Sequence, residues 1–379
     1  MKDFQQQIVN LIRAALTDYV PNQDENYDFE KIFSLADNGG YTSLIYYGAL
    51  KTPKFNVYEG KKTIIRQVCF EIARSRKQME EVDAFSAYMD SIGADYCLLK
   101  GTELKPLYPH PEMRPMNDSD ILVYEKDIKS VNKYLLDSGF KFLAESSMES
   151  VWAKTGIEIE IHTRLMEFSH DSKTLYFNTA WEHLDGHYLD AEFSFLYQLV
   201  HLAKHSALGT MPLRHLVDMF VYTKAHPEIN MQEIEKQLKE MHLADFFHNV
   251  MELVDCWFNG AQPTELTDLM TDMAFMTREE RNDRVMYSFE IEKRDKSKLS
   301  YMFTRVFKNY GSMCDEFPIL MKYPVLLPLY WFIRAFGFIF NRKKQDSAKN
   351  NLNNYFDNQK LESFENEMET IGLKEWYQK

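Results

Sequence analysis

Two acidic residues stand two positions apart at the start of an apolar run. Asp118 and Asp120 flank Ser119 and lead directly into Ile121-Leu122-Val123. If this run is a β-strand, side chains at positions i and i+2 point to the same face, so the two carboxylates project together. Carboxylates held together repel each other unless a cation lies between them, and such oxygen ligands suit Mg²⁺ or Mn²⁺. The pair therefore predicts a divalent-cation site.

A third acidic residue lies in a later segment. Residues 157–162 alternate between isoleucine and a polar side chain, which predicts a strand with one apolar face and one face carrying Glu158, Glu160 and His162. Glu160 can supply a third carboxylate to the same cation, while His162 can orient a carboxylate or contact a phosphate oxygen. The alternative stays open: Glu158 and Glu160 form the solvated face of an antiparallel strand, and His162 is structural.

An upstream segment has the composition of a phosphate-binding turn. Leu98-Leu99-Lys100-Gly101-Thr102 predicts a buried strand, a glycine turn and the start of a helix. Glycine allows the backbone to approach a phosphate, and the first amides of a helix point towards it. Thr102 adds a hydroxyl, and Lys100 and Arg114 add positive charge. We therefore predict nucleotide-phosphate contacts at Lys100, Gly101, Thr102 and Arg114.

These residues require a small sheet, and the sequence on both sides of it is helical. Apolar residues follow helical spacing before residue 90, above all in residues 63–89, and again from residue 191 onward. Between these regions the pattern predicts short strands at 95–99, 121–124, 140–143, 151–154 and 157–161. The predicted fold class is α+β, a small mixed sheet flanked by helical regions. The predicted domains are 1–90 (helical), 91–190 (α/β core), 191–345 (helical) and 346–379 (polar tail).

The order of the segments LLKGTEL, RPMNDSDILV and IEIEIHTRL resembles the polymerase-beta-type nucleotidyltransferase superfamily. It is particularly similar to a poorly characterised bacterial branch, the uncharacterised nucleotidyltransferase family. The superfamily pattern has a glycine turn, then two acids separated by one residue, then a third acid on a later strand. Gly101, Asp118, Asp120 and Glu160 occupy these positions in the same order. The resemblance covers roughly residues 60–225.

The sequence departs from that pattern at three positions. Thr102 replaces the usual small residue, Ser119 replaces an apolar residue, and Glu160 replaces the more usual Asp. The resemblance implies that a nucleoside triphosphate (NTP) and Mg²⁺ bind, and that the nucleoside monophosphate group is transferred to an acceptor it does not identify. The departures leave open a second hypothesis, a catalytically inactive nucleotide-binding or interaction module of the same fold.

Two histidines stand one helical turn apart in the predicted helix that follows the core. His201 and His205 form an HxxxH pair, which suggests zinc, but Leu202 stands where a metalloprotease has Glu. A solvated or hydrogen-bonded polar stripe is the favoured interpretation, and the alternative is that the stripe lines a cleft. Further along, the favoured interpretation of Arg214 and Asp218 is that they pair with each other or cap helices, because positions i and i+4 are neighbours on a helix. The alternative is that one of them contacts a substrate.

The overall charge restricts the class of partner. The chain has 44 basic and 57 acidic residues and a net charge of −13. Nucleic-acid binding requires a broad basic surface, so a nucleic-acid partner is not expected, and a small molecule or a protein is the expected acceptor. The four cysteines lie far apart without a metal-binding spacing, which predicts buried thiols in a reducing compartment. The expected localisation is the cytoplasm.

Residues 318–340 are strongly apolar but are interrupted by Lys322 and Arg334. A membrane-spanning helix needs about 20 apolar residues, and the uninterrupted part is shorter. We favour a buried helical hairpin for this segment. The alternative is an interfacial segment in peripheral contact with a membrane, with Arg342, Lys343 and Lys344 facing anionic lipid.

Overall fold

The computed structural model describes residues 2–166, 171–294, 307–308, 310–317, 319–340 and 358–376. Its N-terminal region is helical, as the apolar spacing predicted. The helices are α1 (Asp3–Leu16), α2 (Phe29–Gly39), α3 (Thr42–Ala49), α4 (Pro53–Asn56) and α5 (Lys61–Ser91). Helices α1 and α3 pack closely at Gly48, where a Cβ atom would lie 1.9 Å from the carbonyl oxygen of Leu11.

A five-stranded mixed sheet follows α5. Its strands are β1 (Tyr96–Leu98), β2 (Asp118–Val123), β3 (Lys141–Glu145), β4 (Glu149–Lys154) and β5 (Ile157–His162). Their spatial order is β1-β2-β5-β4-β3, and only β2 and β5 pair in parallel. Helix α6 (Gly101–Leu104) follows β1, and helix α7 (Ile128–Asp137) follows β2. The prediction of an α+β fold with a mixed sheet is confirmed.

The two faces of the sheet have different environments. On one face, alternate residues of β2 and β5 pack against α5 and α7; this hydrophobic cluster includes Phe85, Ile121, Leu135, Ile159 and Ile161. The predicted alternation along β5 is therefore confirmed. The opposite face carries Asp118, Asp120, Glu160 and His162, and its residue Leu122 belongs to the main helical core.

The remaining elements are mostly helical. After α8 (Ser172–Phe177), a short hairpin pairs β6 (Leu184–Asp185) with β7 (Tyr188–Leu189). The next helices are α9 (Ala191–Ala207), α10 (Leu213–Ala225), α11 (Met231–Glu240) and α12 (Ala244–Val254), which continues as a π-helical turn (Asp255–Asn259). Then come α13 (Glu265–Ala274), α14 (Arg278–Arg294), α15 (Tyr310–Glu316), α16 (Ile319–Lys322), α17 (Leu327–Phe340) and α18 (Asn358–Thr370).

The N-terminal and C-terminal helical regions share one hydrophobic core. Its buried residues include Ile8 and Leu11 of α1, Leu199 of α9, and Trp257 after α12. Apolar area is buried most effectively when helices from both ends of the chain cover one another and the open face of the sheet. The residue limits of the four predicted domains stay a prediction.

Residues 319–340 differ from the buried hairpin that we favoured. The segment is helical, and Leu320 packs in a small cluster with Met313 and Cys314. Its other face is open: Val325 is 83% exposed and Phe332 is 61% exposed. The burial prediction was wrong for this face, and the basic residues 342–344 lie outside the described residues. No helix within the described ranges is both long enough and apolar enough to cross a membrane.

The cysteines are all free thiols, but only two of them are buried. Cys97 and Cys314 are enclosed, Cys256 is half-buried, and Cys69 is exposed on α5. The expectation that all four would be buried was wrong, because Cys69 lies on the part of the long helix α5 that faces solvent.

Candidate active site

The parallel pairing of β2 with β5 brings the three predicted acids to one face of the sheet. Asp118 is opposite Glu158, and Asp120 is opposite Glu160. Directly opposed residues of paired strands have side chains on the same face, so the carboxylates of Asp118, Asp120 and Glu160 share one side. The sequence-predicted acidic site is therefore assembled by a strand pair that is separated in sequence by α7, β3 and β4.

Asp120 is the most enclosed of these acids, and it contacts Lys100 and His162. Lys100 Nζ donates to Asp120 Oδ1 at 2.5 Å, and His162 Nε2 lies 3.0 Å from the same oxygen. Burial alone would raise the pKa of Asp120, but Lys100 and His162 hold it below its ordinary value. Oδ2 of Asp120 makes no hydrogen bond or ion pair within the described residues. Asp120 is therefore ionised at neutral pH and has one oxygen left to bind another ligand.

His162 connects the acids to one another. Its Nε2 atom lies 3.6 Å from Glu160 Oε2, and its Nδ1 atom lies 3.3 Å from Glu149 Oε2 on β4. Burial alone would lower the pKa of His162, but hydrogen bonds to Asp120 and Glu160 raise it. Of the two interpretations of His162, the structure matches the one in which it orients carboxylates.

The donor set fits a divalent cation. Ligand atoms of Asp120, Glu160 and His162 all lie within 4.8 Å of one another, and Asp118 stands beside this group. Burial first, and then the charges of Asp120 and Glu160, raise the pKa of Asp118. A cation between these carboxylates would relieve that repulsion, and carboxylate oxygens with Asp120 Oδ2 available are ligands that Mg²⁺ or Mn²⁺ prefers.

The turn between β1 and α6 directs Lys100 towards the acids. Lys100 has φ +47° and ψ −113°, a backbone conformation that costs energy for a residue with a side chain. Leu99 N donates to the carbonyl of Asp120, which fixes the turn to β2. At the next position a Cβ on Gly101 would lie 2.4 Å from Arg114 Nη1. Glycine at 101 therefore makes room for the arginine.

Arg114 is held by a buried carboxylate. Its Nε and Nη2 atoms donate to the two oxygens of Asp218 at 3.1 and 3.0 Å, and Tyr108 OH donates to Asp218 Oδ1 at 2.7 Å. The expected pairing of Arg214 with Asp218 was wrong, because Arg114 reaches Asp218 from another element and makes both bonds. This ion pair joins α10 to the segment that precedes β2.

The predicted phosphate-binding residues are not equivalent in the structure. Lys100, Gly101 and Arg114 line a common cavity with Asp118, Asp120 and Glu160. Thr102 is fully buried, and its hydroxyl contacts Met116 Sδ at 3.9 Å rather than the cavity. A nucleotide contact at Thr102 therefore stays a prediction without support from the geometry.

The cavity has a volume of about 660 Å³, and helices α9 and α10 form its wall opposite the sheet. Basic and acidic side chains balance in its lining, with five of each: Lys100, Arg114, Lys204, Arg214 and Lys308 against Asp118, Asp120, Glu149, Glu160 and Asp218. A charged ligand with both a cation and phosphates would find partners of both signs here.

The sequence favoured a structural pairing for Arg214, but the structure places this residue in the cavity wall. Its Nε atom is buried and has no hydrogen-bond partner within the described residues. Burial, followed by the charge of Arg114, lowers the pKa of Arg214. A buried guanidinium nitrogen without a hydrogen-bond partner is costly, and an anionic ligand in the cavity would offset that cost. No sequence motif indicated that Arg214 would lie in the cavity wall. It does so because Asp218, its expected partner, binds Arg114 instead.

A mixed sheet with three clustered carboxylates beside a charged cavity is the arrangement expected of an enzyme that positions phosphates with a metal ion. A family model described as "Uncharacterised nucleotidyltransferase" matches residues 25–259. This match covers more than half of the 379 residues, and the chain belongs to that family. No curated protein and no solved structure is significantly similar to the chain.

Proposed function

We propose that this chain is a metal-dependent nucleotidyltransferase that moves a nucleoside monophosphate group from an NTP to a small-molecule or protein acceptor. The observation that carries the proposal is the position of Asp118, Asp120 and Glu160 on one face of β2 and β5, beside the charged cavity. Membership of a nucleotidyltransferase family supports the reaction class. The donor NTP, the metal and the acceptor are parts of the proposal.

The three carboxylates would hold one or two divalent cations, which supply charge neutralisation at the transferred phosphate. Asp118 and Glu160 are half-buried and face the cavity, so they can ligate without a large rearrangement. His162 acts as a positioning residue, because its Nε2 atom contacts Asp120 Oδ1 and lies near Glu160 Oε2. A carboxylate of this cluster can also accept the proton of the attacking acceptor group.

Lys100 and Arg214 are the proposed contacts to the triphosphate. Lys100 already lies at the acidic cluster through Asp120, so it can bridge the carboxylates and a phosphate oxygen. Arg214 has a buried Nε donor without a partner in the described part of the chain. Arg114 contributes its charge from a fixed position, because Asp218 takes two of its donors. In-line transfer then depends on positioning and electrostatics.

The first experiment compares Glu160→Gln with Glu158→Gln. Both residues lie on the polar face of β5, but only Glu160 lines the cavity. Calorimetry with Mg²⁺ and an NTP analogue that cannot be cleaved between the α and β phosphates measures binding. Pyrophosphate release with a panel of hydroxyl and amine acceptors measures turnover.

We expect Glu160→Gln to lose metal-dependent binding and turnover, and Glu158→Gln to keep both. The same loss in both variants, or in neither, contradicts the assigned site. Binding of the NTP by the wild type without turnover on any acceptor favours the alternative, a catalytically inactive nucleotide-binding module. The departures from the superfamily pattern at Ser119 and Glu160 are the sequence features behind that alternative.

A second candidate function is peripheral contact with a membrane through residues 319–340. It is favoured by the open apolar face that includes Val325, Leu329 and Phe332. Exposed apolar patches rimmed by polar residues mark interaction surfaces, and the basic residues that follow in sequence suit anionic lipid. Flotation with phosphatidylserine vesicles, compared with phosphatidylcholine vesicles, tests this. Phe332→Ser should reduce vesicle binding. Phe70 on α5 is similarly exposed, and Phe70→Ser should leave vesicle binding unchanged. Equal vesicle binding by the wild type and both variants contradicts the proposal.

A further inference from the structure

Three histidines from two helices meet at the wall of the cavity. His201 and His205 lie one turn apart on α9, and His215 lies in the first turn of α10. Their ligand atoms all lie within 4.8 Å of one another, and the Nε2 atoms of His201 and His205 are 3.2 Å apart. The acidic cluster on the sheet is a separate group of residues and contributes none of these atoms.

We propose that His201, His205 and His215 form a second metal site, which binds a transition-metal ion of the Zn²⁺ class. Four ligands around Zn²⁺ with Zn–N distances of about 2.0–2.1 Å place neighbouring nitrogens about 3.3 Å apart. The His201–His205 separation already has this value. A displacement of His215 by up to about 1.5 Å would complete a three-histidine set, and a small side-chain rotation can supply it.

His215 gives an independent indication of a missing ligand. It is only 7% exposed, and its Nε2 atom is buried without a hydrogen-bond partner in the described part of the chain. An unpaired buried nitrogen costs on the order of 1–3 kcal/mol, so the fold is expected to provide it with a partner. A metal ion bound to His201 and His205 would be that partner.

The histidines are in the protonation state that a metal requires. Burial, together with Arg214 and Lys204, lowers the pKa of His205 to about 4. Burial likewise lowers the pKa values of His201 and His215 well below the ordinary value. All three rings are therefore neutral at pH 7, and neutral imidazole is the ligand form.

The ligand atoms decide which ion the site suits. Lys100, Lys204 and Arg214 disfavour an additional positive charge near the histidines, but the whole cavity lining has five acidic side chains against five basic ones. Hard cations such as Mg²⁺ prefer oxygen ligands and would go to the carboxylates, whereas imidazole binds Zn²⁺, Co²⁺ or Ni²⁺. With three protein ligands, the fourth coordination position would be open towards the cavity, as in catalytic zinc sites. This proposal depends only on the histidine geometry and not on the nucleotidyl-transfer proposal.

Cobalt(II) provides the test, because tetrahedral Co²⁺ absorbs visible light far more strongly than octahedral, oxygen-bound Co²⁺. Metal-free full-length protein is titrated with Co²⁺, and each variant is checked for folding by circular dichroism. We expect one equivalent of intensely absorbing Co²⁺ in the wild type and more than about 100-fold weaker binding in His201→Gln and His205→Gln. His248→Gln, an exposed histidine on α12, should behave like the wild type, and so should Asp120→Asn.

Two results would overturn the proposal. They are no intense absorption at saturating Co²⁺, or unchanged absorption in both His201→Gln and His205→Gln, whether or not Asp120→Asn loses it. X-ray absorption spectroscopy of the metal-loaded wild type provides a measurement that does not depend on variants. Three imidazole nitrogens at about 2.0–2.1 Å support the site, and an oxygen-only shell rejects it.

Discussion

Breaking the buried ion pair between Arg114 and Asp218 should destabilise the protein strongly, because it leaves one buried charge without its partner. The side chains are 4% and 2% exposed, and Asp218 accepts two hydrogen bonds from Arg114 and one from Tyr108. Asp218→Asn keeps the side-chain shape but removes the negative charge. Arg114 would then remain as a buried cation without a counter-ion.

The expected cost of Asp218→Asn is about 3 kcal/mol in the free energy of unfolding, at the lower end of the 3–5 kcal/mol for breaking a buried pair. The lower end applies because the Asn side-chain oxygen can still accept one hydrogen bond. The double variant Arg114→Met/Asp218→Asn should be no less stable than Asp218→Asn alone, since the orphaned charge is gone. Glu80→Gln provides the control: its pair with Arg76 is 81% and 61% exposed, and the change should cost less than about 0.5 kcal/mol.

Urea unfolding followed by tryptophan fluorescence at pH 7 measures these free energies. A loss below about 1 kcal/mol in Asp218→Asn would refute the buried-pair argument. Additive losses in the double variant would also refute it, since independent sites add and coupled ones do not. If Arg214→Met were as destabilising as Arg114→Met, the i, i+4 pairing expected from the sequence would be the correct one.

Three further predictions concern the turn and its surroundings. Lys100→Met should weaken NTP binding by roughly 10–100-fold in calorimetry, because a charge-assisted hydrogen bond is lost. Substitution of the exposed Lys77 by Met should leave the affinity unchanged. Equal affinities of Lys100→Met and the wild type would remove Lys100 from the site. Burial raises the pKa of Glu103 to about 7, so the folded state holds this proton more tightly than the unfolded chain. The stability gained below pH 4.5 should therefore be lost as pH rises to about 7, by on the order of 3 kcal/mol, and a urea series of Glu103→Gln against pH should lack that decline. Gly101→Ala should cost about 1–3 kcal/mol in urea unfolding because its Cβ would lie 2.4 Å from Arg114 Nη1, and an unchanged midpoint would contradict this close approach.

Much of the fold followed from local pattern. Period-2 alternation in residues 157–161 placed the isoleucines on the buried face of β5, and helical spacing identified α5 and α10. These elements were predictable because each has one buried face that repeats with its own period. The short α4 and the hairpin β6–β7 were not predicted, since few residues contribute to either pattern.

The candidate site was predicted less completely. The spacing of Asp118 and Asp120 placed both carboxylates on one face, and the alternation of residues 157–162 offered Glu160 as the third acid. The resemblance matched all three acids to the superfamily pattern. The burial of Thr102 was not predicted, because a hydroxyl at a helix start is compatible with either environment. Arg214 was assigned to Asp218 by local spacing, whereas a longer-range bond from Arg114 displaced it.

By itself, the sequence determined the α+β class, the residues that could bind a cation, and the HxxxH spacing that puts His201 and His205 on one side of α9. Which strands are neighbours was decided only by the tertiary structure, since β2 and β5 are separated by α7, β3 and β4. The same is true of His215, which reaches the other two histidines only because α10 packs on α9. The physical reason is that periodicity reports which face of an element is buried, whereas the partner on that face is chosen by the packing of the whole core.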